Sequence, residues 1–145
     1  YINSKPLAEK RGINISINKK DHKYKNYSSA IEFVITNEEG KKIYVVGTIG
    51  MNNEERIISI KNHDVDMAIS DNMIYLGNED VPGVIGAVGA TLGKGNINIA
   101  TMNVGRRENS AIMLLTVDSE VGRRSLKELR GLSQIKWAHY LDLTI

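Results

Sequence analysis

Apolar residues follow two rhythms along this chain. Ile13, Ile15 and Ile17 alternate with Asn14, Ser16 and Asn18, a period of two that predicts a strand with one buried face. Residues 31–36 and 43–49 predict two more strands, joined by the turn Asn37-Glu38-Glu39-Gly40, where Gly40 is free to take positive φ. Residues 56–61 predict a fourth strand, and Val65, Met67 and Ile69 alternate again after the loop Asn62-His63-Asp64. Only residues 6–11 read as helical in this half. Pro6 suits a first turn and Gly12 a C-terminal stop.

The rhythm changes after Ser70-Asp71-Asn72. Residues 73–78 predict a strand. Pro82 then sets up a helix start, and Val84, Ile85, Val88 and Leu92 share one face at helical spacing until Gly95-Asn96. Residues 97–104 predict a strand, 105–110 a polar hairpin loop, and 111–117 a nearly all-apolar strand, as expected of one buried in a sheet. Residues 122–130 form a second helix that packs through Leu126 and Leu129. Ile135, Trp137, His139, Leu141 and Leu143 alternate in a last strand. The order strand, helix, strand, strand, helix, strand is a split βαβ pattern. It gives an antiparallel sheet with both helices on one face. The class is α+β, with a strand-rich domain at residues 1–70 and a βαββαβ ferredoxin-like domain at 71–145. The two halves share no repeat.

Composition narrows the function more than the fold. The 145 residues are 41% hydrophobic and 25% charged, as in an ordinary globular protein. The net charge of +2 is too small to argue for nucleic acid or an anionic membrane, and no apolar run reaches the ~20 residues of a membrane span. With no cysteine, disulfides, thiolate metal sites and cysteine nucleophiles are excluded, which fits a reducing, cytoplasmic setting. Lys19, Lys20, His22, Lys23 and Lys25 form a basic stretch that reads as a solvated loop. The opening Tyr1-Ile2-Asn3 carries no initiator Met, so the chain reads as a piece of something longer.

Catalytic patterns are missing. Gly93-Lys94-Gly95 lies between a helix and a strand and lacks a third glycine, so it is a helix stop and not a dinucleotide loop. His22, His63 and His139 sit in separate segments without ligand spacing. His63 is expected in an exposed loop and His139 partly buried. The methionines read as core. No catalytic residue and no metal site is expected.

The chemistry is concentrated in Asn78-Glu79-Asp80-Val81-Pro82-Gly83-Val84-Ile85-Gly86, between a strand and a helix. Gly83 keeps the first helical turn free of bulk and exposes amides that carry the positive end of the helix dipole, which suits a carboxylate. Asp80 beside them suits an ammonium group. Together they match the zwitterionic end of an amino acid, although Asp80 alone also reads as a helix cap. Gly86, Gly89 and Gly93 fall on one stripe, each costing about 1 kcal/mol against alanine, which argues for close approach of another backbone.

This loop, with Gly95-Asn96-Ile97-Asn98-Ile99-Ala100 after the helix, resembles the ACT domain. The continuation Met102-Asn103-Val104-Gly105-Arg106-Arg107 narrows the resemblance to the C-terminus of the D-3-phosphoglycerate dehydrogenase family. Upstream, residues 3–13, Gly47-Thr48 and Arg56-Ile57-Ile58-Ser59-Ile60 resemble that family's intervening domain. The resemblance implies an NAD-dependent parent enzyme, with NAD held by a catalytic part outside this chain and no cofactor within it. It also implies L-serine, or a similar amino acid, bound where two ACT domains of a homo-oligomer meet. Carried over, one copy supplies Asn78, where the family carries His or Tyr, together with Asp80 and the backbone at Gly83, Val84 and Ile85. The partner supplies Asn98. Arg56, with Lys61 nearby, matches an anion-binding position of the intervening domain. The alternatives are the small subunit of an iron–sulfur L-serine dehydratase and a free-standing amino-acid-binding module.

Overall fold

The computed structural model of the chain describes residues 4–18, 24–108 and 110–144. Of the basic stretch, Lys19, Lys20, His22 and Lys23 lie outside the described residues. Helix α1 (Ser4–Lys10) has Pro6 in its first turn and ends at Gly12, whose φ of 73° is the left-handed stop. The amides of Arg11, Gly12 and Ile13 turn back onto the carbonyls of Ala8 and Glu9 at 2.9–3.0 Å.

Four strands then form an antiparallel meander: β1 (Ile31–Thr36), β2 (Lys42–Ile49), β3 (Glu55–Ile60) and β4 (His63–Ala68). Gly40 in the first turn has a φ of 78°. Lys61 and Asn62, between β3 and β4, have φ of 48° and 64°, the paired positive values of a two-residue I′ hairpin.

The second sheet comprises β5 (Asn72–Glu79), β6 (Ile99–Arg107), β7 (Ser110–Val117) and β8 (Ile135–Asp142), in the order β6-β7-β5-β8. Helices α2 (Val84–Lys94) and α3 (Arg123–Arg130) complete the ferredoxin-like βαββαβ arrangement. The period-two geometry of β5 and β7 divides their side chains between two layers. Ile74, Leu76, Met113 and Leu115 meet Val84, Val88 and Leu92 of α2 and Leu129 of α3. Met73, Ile112 and Leu114 point the other way, onto Ile60, Val65 and Met67 of the first sheet. Strand β7 is apolar from Ala111 to Leu115 because it is buried on both faces.

The seam between the sheets is tightest at Gly105 on β6. A Cβ there would stand 2.7 Å from the Asp64 carbonyl oxygen, so β4 can lie against β6 only over a glycine. Trp137 lies over Gly77 in the same way and meets Tyr75 edge-on, with centroids 4.6 Å apart. The buried Tyr75 hydroxyl has no hydrogen-bond partner, and burial pushes its ionisation up to about 12. An acid whose pKa is raised on folding holds its proton longer in the native state. Stability is therefore expected to fall as pH rises above the ordinary tyrosine value of about 10. Ultraviolet titration of the native chain should find one tyrosine ionising near 12, and Tyr75→Phe should remove that step.

Several sequence expectations need correction. Residues 13–18 form no strand: Ile13, Ile15 and Ile17 are exposed, because no sheet edge pairs with them. The hairpin expected at 105–110 is shorter, since β6 runs to Arg107 and β7 starts at Ser110. Pro82 precedes the helix instead of opening it; the N-cap is Gly83, with a φ of 91°. His63 is in β4, 9% exposed, with Nε2 3.3 Å from Ser110 Oγ. His139 is exposed although it shares the face of Trp137 and Leu141, because β8 is the outer strand of its sheet, and Met51 is fully exposed in a turn.

Candidate functional site

The β5–α2 loop places the chemistry at one corner of the second sheet. Strand register puts Ile135 of β8, Asn78 of β5, Ala111 of β7 and Arg106 of β6 in one row. Directly opposed residues of antiparallel strands share a face. This row therefore continues the face of Leu76, Met113 and Val104, on which the helices pack.

Asn78 is 2% exposed. Its Nδ2 donates to the Glu79 carbonyl at 2.6 Å, and its Oδ1 is buried with no partner. A buried amide oxygen left unpaired costs about 1–3 kcal/mol, so an incoming donor would be welcome there. Two residues on, Asp80 is not the helix cap: the N-cap position is Gly83, which has no side chain to cap with. Asp80 instead pairs with Arg106, its Oδ1 3.2 Å from Arg106 Nε. Beside it lies an open depression of about 480 Å³ lined by Glu79, Asp80, Val81, Glu108 and Lys136.

The first turn of α2 is accessible. A Cβ at Gly83 or Gly86 would meet nothing within 4 Å, and Ile85 is 50% exposed. The opening amides of a helix have no intrahelical acceptor, and the N-cap Gly83 has no side chain to supply one. Val84 is buried, so only its backbone can reach a ligand. The glycine stripe Gly86, Gly89 and Gly93 also faces open space; among the described residues, no other backbone approaches it.

Asn98 lies just before β6, at the opposite end of that strand from Arg106, roughly 27 Å away at about 3.4 Å per residue. Its Nδ2 donates to Asp118 Oδ2 at 2.6 Å. Asn78, Asp80 and the α2 N-terminus are thus neighbours along the β5–α2 segment and Asn98 lies apart, while of the expected site residues only Asp80 lines the depression. Arg106 is the residue that the sequence reading missed. Its alternation with Met102 and Val104 was the signal that it shares their face.

At the other suggested position, Arg56 is held between Asp66, at 2.6 Å, and Glu54, at 3.1 Å. Lys61 stands over the Trp137 ring, 5.2 Å from its centroid. An anion at Arg56 has to compete with both carboxylates. Among the described residues, no group of three or more His, Asp or Glu side chains is placed to hold a metal ion, and no helix is long and apolar enough to cross a membrane.

The ACT domain family matches residues 72–134, and the D-3-phosphoglycerate dehydrogenase intervening domain matches residues 1–61. Three relatives, each a D-3-phosphoglycerate dehydrogenase, align along nearly the whole chain. The Archaeoglobus fulgidus protein is 38% identical, over 98% of this chain and 27% of its own length. The Bacillus subtilis protein is 33% identical, over 98% and 27%. The Synechocystis protein is 31% identical, over 99% and 26%. The chain spans about a quarter of the length of these relatives, and the part it matches is their C-terminal one. A helix-covered ferredoxin-like sheet with an ACT match, behind a strand meander with an intervening-domain match, belongs to the D-3-phosphoglycerate dehydrogenase family as a regulatory C-terminal part.

Proposed function

We propose that this chain is the effector-sensing part of an NAD-dependent, cytoplasmic D-3-phosphoglycerate dehydrogenase of serine biosynthesis. In this reading, residues 1–70 are the intervening domain and 71–145 the ACT domain, and L-serine binds between two ACT domains of a homo-oligomer. NAD and the oxidation chemistry belong to the rest of the parent enzyme.

One observation carries the reading. Asp80, the unpaired Asn78 oxygen and the α2 N-terminus all belong to the β5–α2 segment at one end of the sheet, while Asn98 lies at the other end of β6. Strand β6 is an edge strand. Antiparallel pairing of two β6 edges about a two-fold axis sets the start of one strand beside the end of the other. Asn98 of the partner subunit then faces Asp80 and the helix amides, and each dimer holds two equivalent sites. Asp80 takes the ammonium group, and Asn78 and Asn98 take the remaining polar atoms. A ligand that bridges two subunits stabilises the arrangement in which both halves of its site meet, with a coupling of about 1–3 kcal/mol.

Removing the carboxylate tests this directly. Asp80→Ala is expected to weaken L-serine binding by about 1.5–3 kcal/mol in calorimetry, as for a hydrogen bond to a charged group. Unchanged affinity in that variant, or no effect of serine on subunit association in the unmutated chain, would sink the site.

A further inference from the structure

Arg106 has no role in the proposed serine site, and unlike Glu79, Glu108 and Lys136, which also lie at this corner, it is ion-paired with Asp80. It is 69% exposed and, among the described residues, paired with Asp80 alone, the residue assigned to the ligand ammonium. An exposed ion pair of this kind is worth about 0–1 kcal/mol, so it is cheap to open. Arg106 stands in the same row and on the same face as Asn78, and between them lies Ala111, whose small side chain leaves the row open. Around the depression, with Glu79, Glu108 and Lys136 also on its wall, the corner therefore presents the Asp80 carboxylate paired with the Arg106 guanidinium, one unpartnered buried amide oxygen and one helix N-terminus.

Resting on the proposed amino-acid site, we propose that Arg106 is a specificity residue of that site: it receives the α-carboxylate of the effector while Asp80 receives the ammonium. The ligand-free chain keeps the two charges satisfied by each other. An amino acid enters by exchanging that single pair for two, its own ammonium on Asp80 and its own carboxylate on Arg106. A planar guanidinium grips a carboxylate through parallel N–H donors, which an ammonium side chain cannot reproduce. The class of ligand follows: a free α-amino acid small enough for the corner, discriminated from amines and from amino-acid amides, which would leave Arg106 without an anion.

The test measures binding of L-serine and of L-serinamide to the 145-residue chain, at mildly acidic pH so that both amines carry a proton. The unmutated chain is expected to bind serine at least about tenfold more tightly than serinamide. Arg106→Gln should lose roughly tenfold for serine, keep its affinity for serinamide, and so erase the discrimination; Arg106→Lys should fall between. Asp80→Asn should weaken both ligands. Serine bound by Arg106→Gln as tightly as before would overturn the proposal, with the carboxylate then assigned to the α2 amides. Tighter binding would also overturn it, by making Arg106 a competitor for Asp80. In either case a loss in Asp80→Asn leaves the amino-acid site standing. Failure of the unmutated chain to bind serine removes the site and this proposal with it.

Discussion

Leu115→Ala is expected to lower the stability of the chain by about 2–5 kcal/mol. Leu115 is fully buried on β7, a central strand held on both sides by β6 and β5. It stands opposite Ile74 and Met102 and packs in the cluster that includes Val88 and Leu92 of α2. Truncation leaves a cavity roofed by a helix and floored by a hydrogen-bonded ladder, neither of which can collapse far, so the loss belongs in the upper half of the range. Denaturant unfolding should show a lower midpoint with an unchanged slope, because the exposed area of the unfolded chain is nearly the same. The same change should disturb the candidate site. Helix α2 carries the amides proposed to face the ligand, and Val88 and Leu92, through which it is anchored, lose a neighbour. A loss below about 1 kcal/mol would mean that the helix layer is packed more loosely than its burial shows.

The second sheet was legible because its signals agree with one another. Alternation in β5 and β8, the apolar run of β7 and the helical spacing of Val84, Val88 and Leu92 all demand the same two-layer arrangement. The first half was less legible. Residues 13–18 carry the rhythm of a strand, but rhythm describes only what a segment would bury if it were paired, and nothing pairs with it. His63 was misplaced because a two-residue turn needs two positive φ values, and Lys61 and Asn62 supply them without a glycine to mark the spot. Of the candidate site, the loop could be read from residue types alone. Asn78's burial, the absence of a cap from Asp80 and the Arg106 contact depend on register and packing, which no local pattern encodes.

Leu114→Ala, one residue earlier on the same strand, is expected to cost a similar 2–5 kcal/mol, with a different consequence. Leu114 is also fully buried, but it points to the opposite layer, among Ile60, Val65, Met67, Met73 and Ile112. These residues form the seam on which the first sheet rests against the second. The cavity therefore opens between the sheets and leaves the helix layer intact. Gly105 shows how close that approach is, with the Asp64 carbonyl 2.7 Å from where a Cβ would stand, so the seam is a fitted contact and not a loose one. Hydrogen exchange should locate the damage. Amides of β3 and β4 should lose protection in Leu114→Ala while those of α2 keep theirs, and Leu115→Ala should show the reverse. Serine affinity should change little in Leu114→Ala, because the Asp80 corner lies on the helix-covered face. If the proposed sensing site communicates with the rest of a longer polypeptide through the first sheet, this seam is the path that the signal must cross. Leu114→Ala should then weaken the coupling between ligand binding and the preceding part while leaving binding itself intact. Equal loss of protection in both layers would show instead that the two sheets unfold as one unit and carry no separable seam.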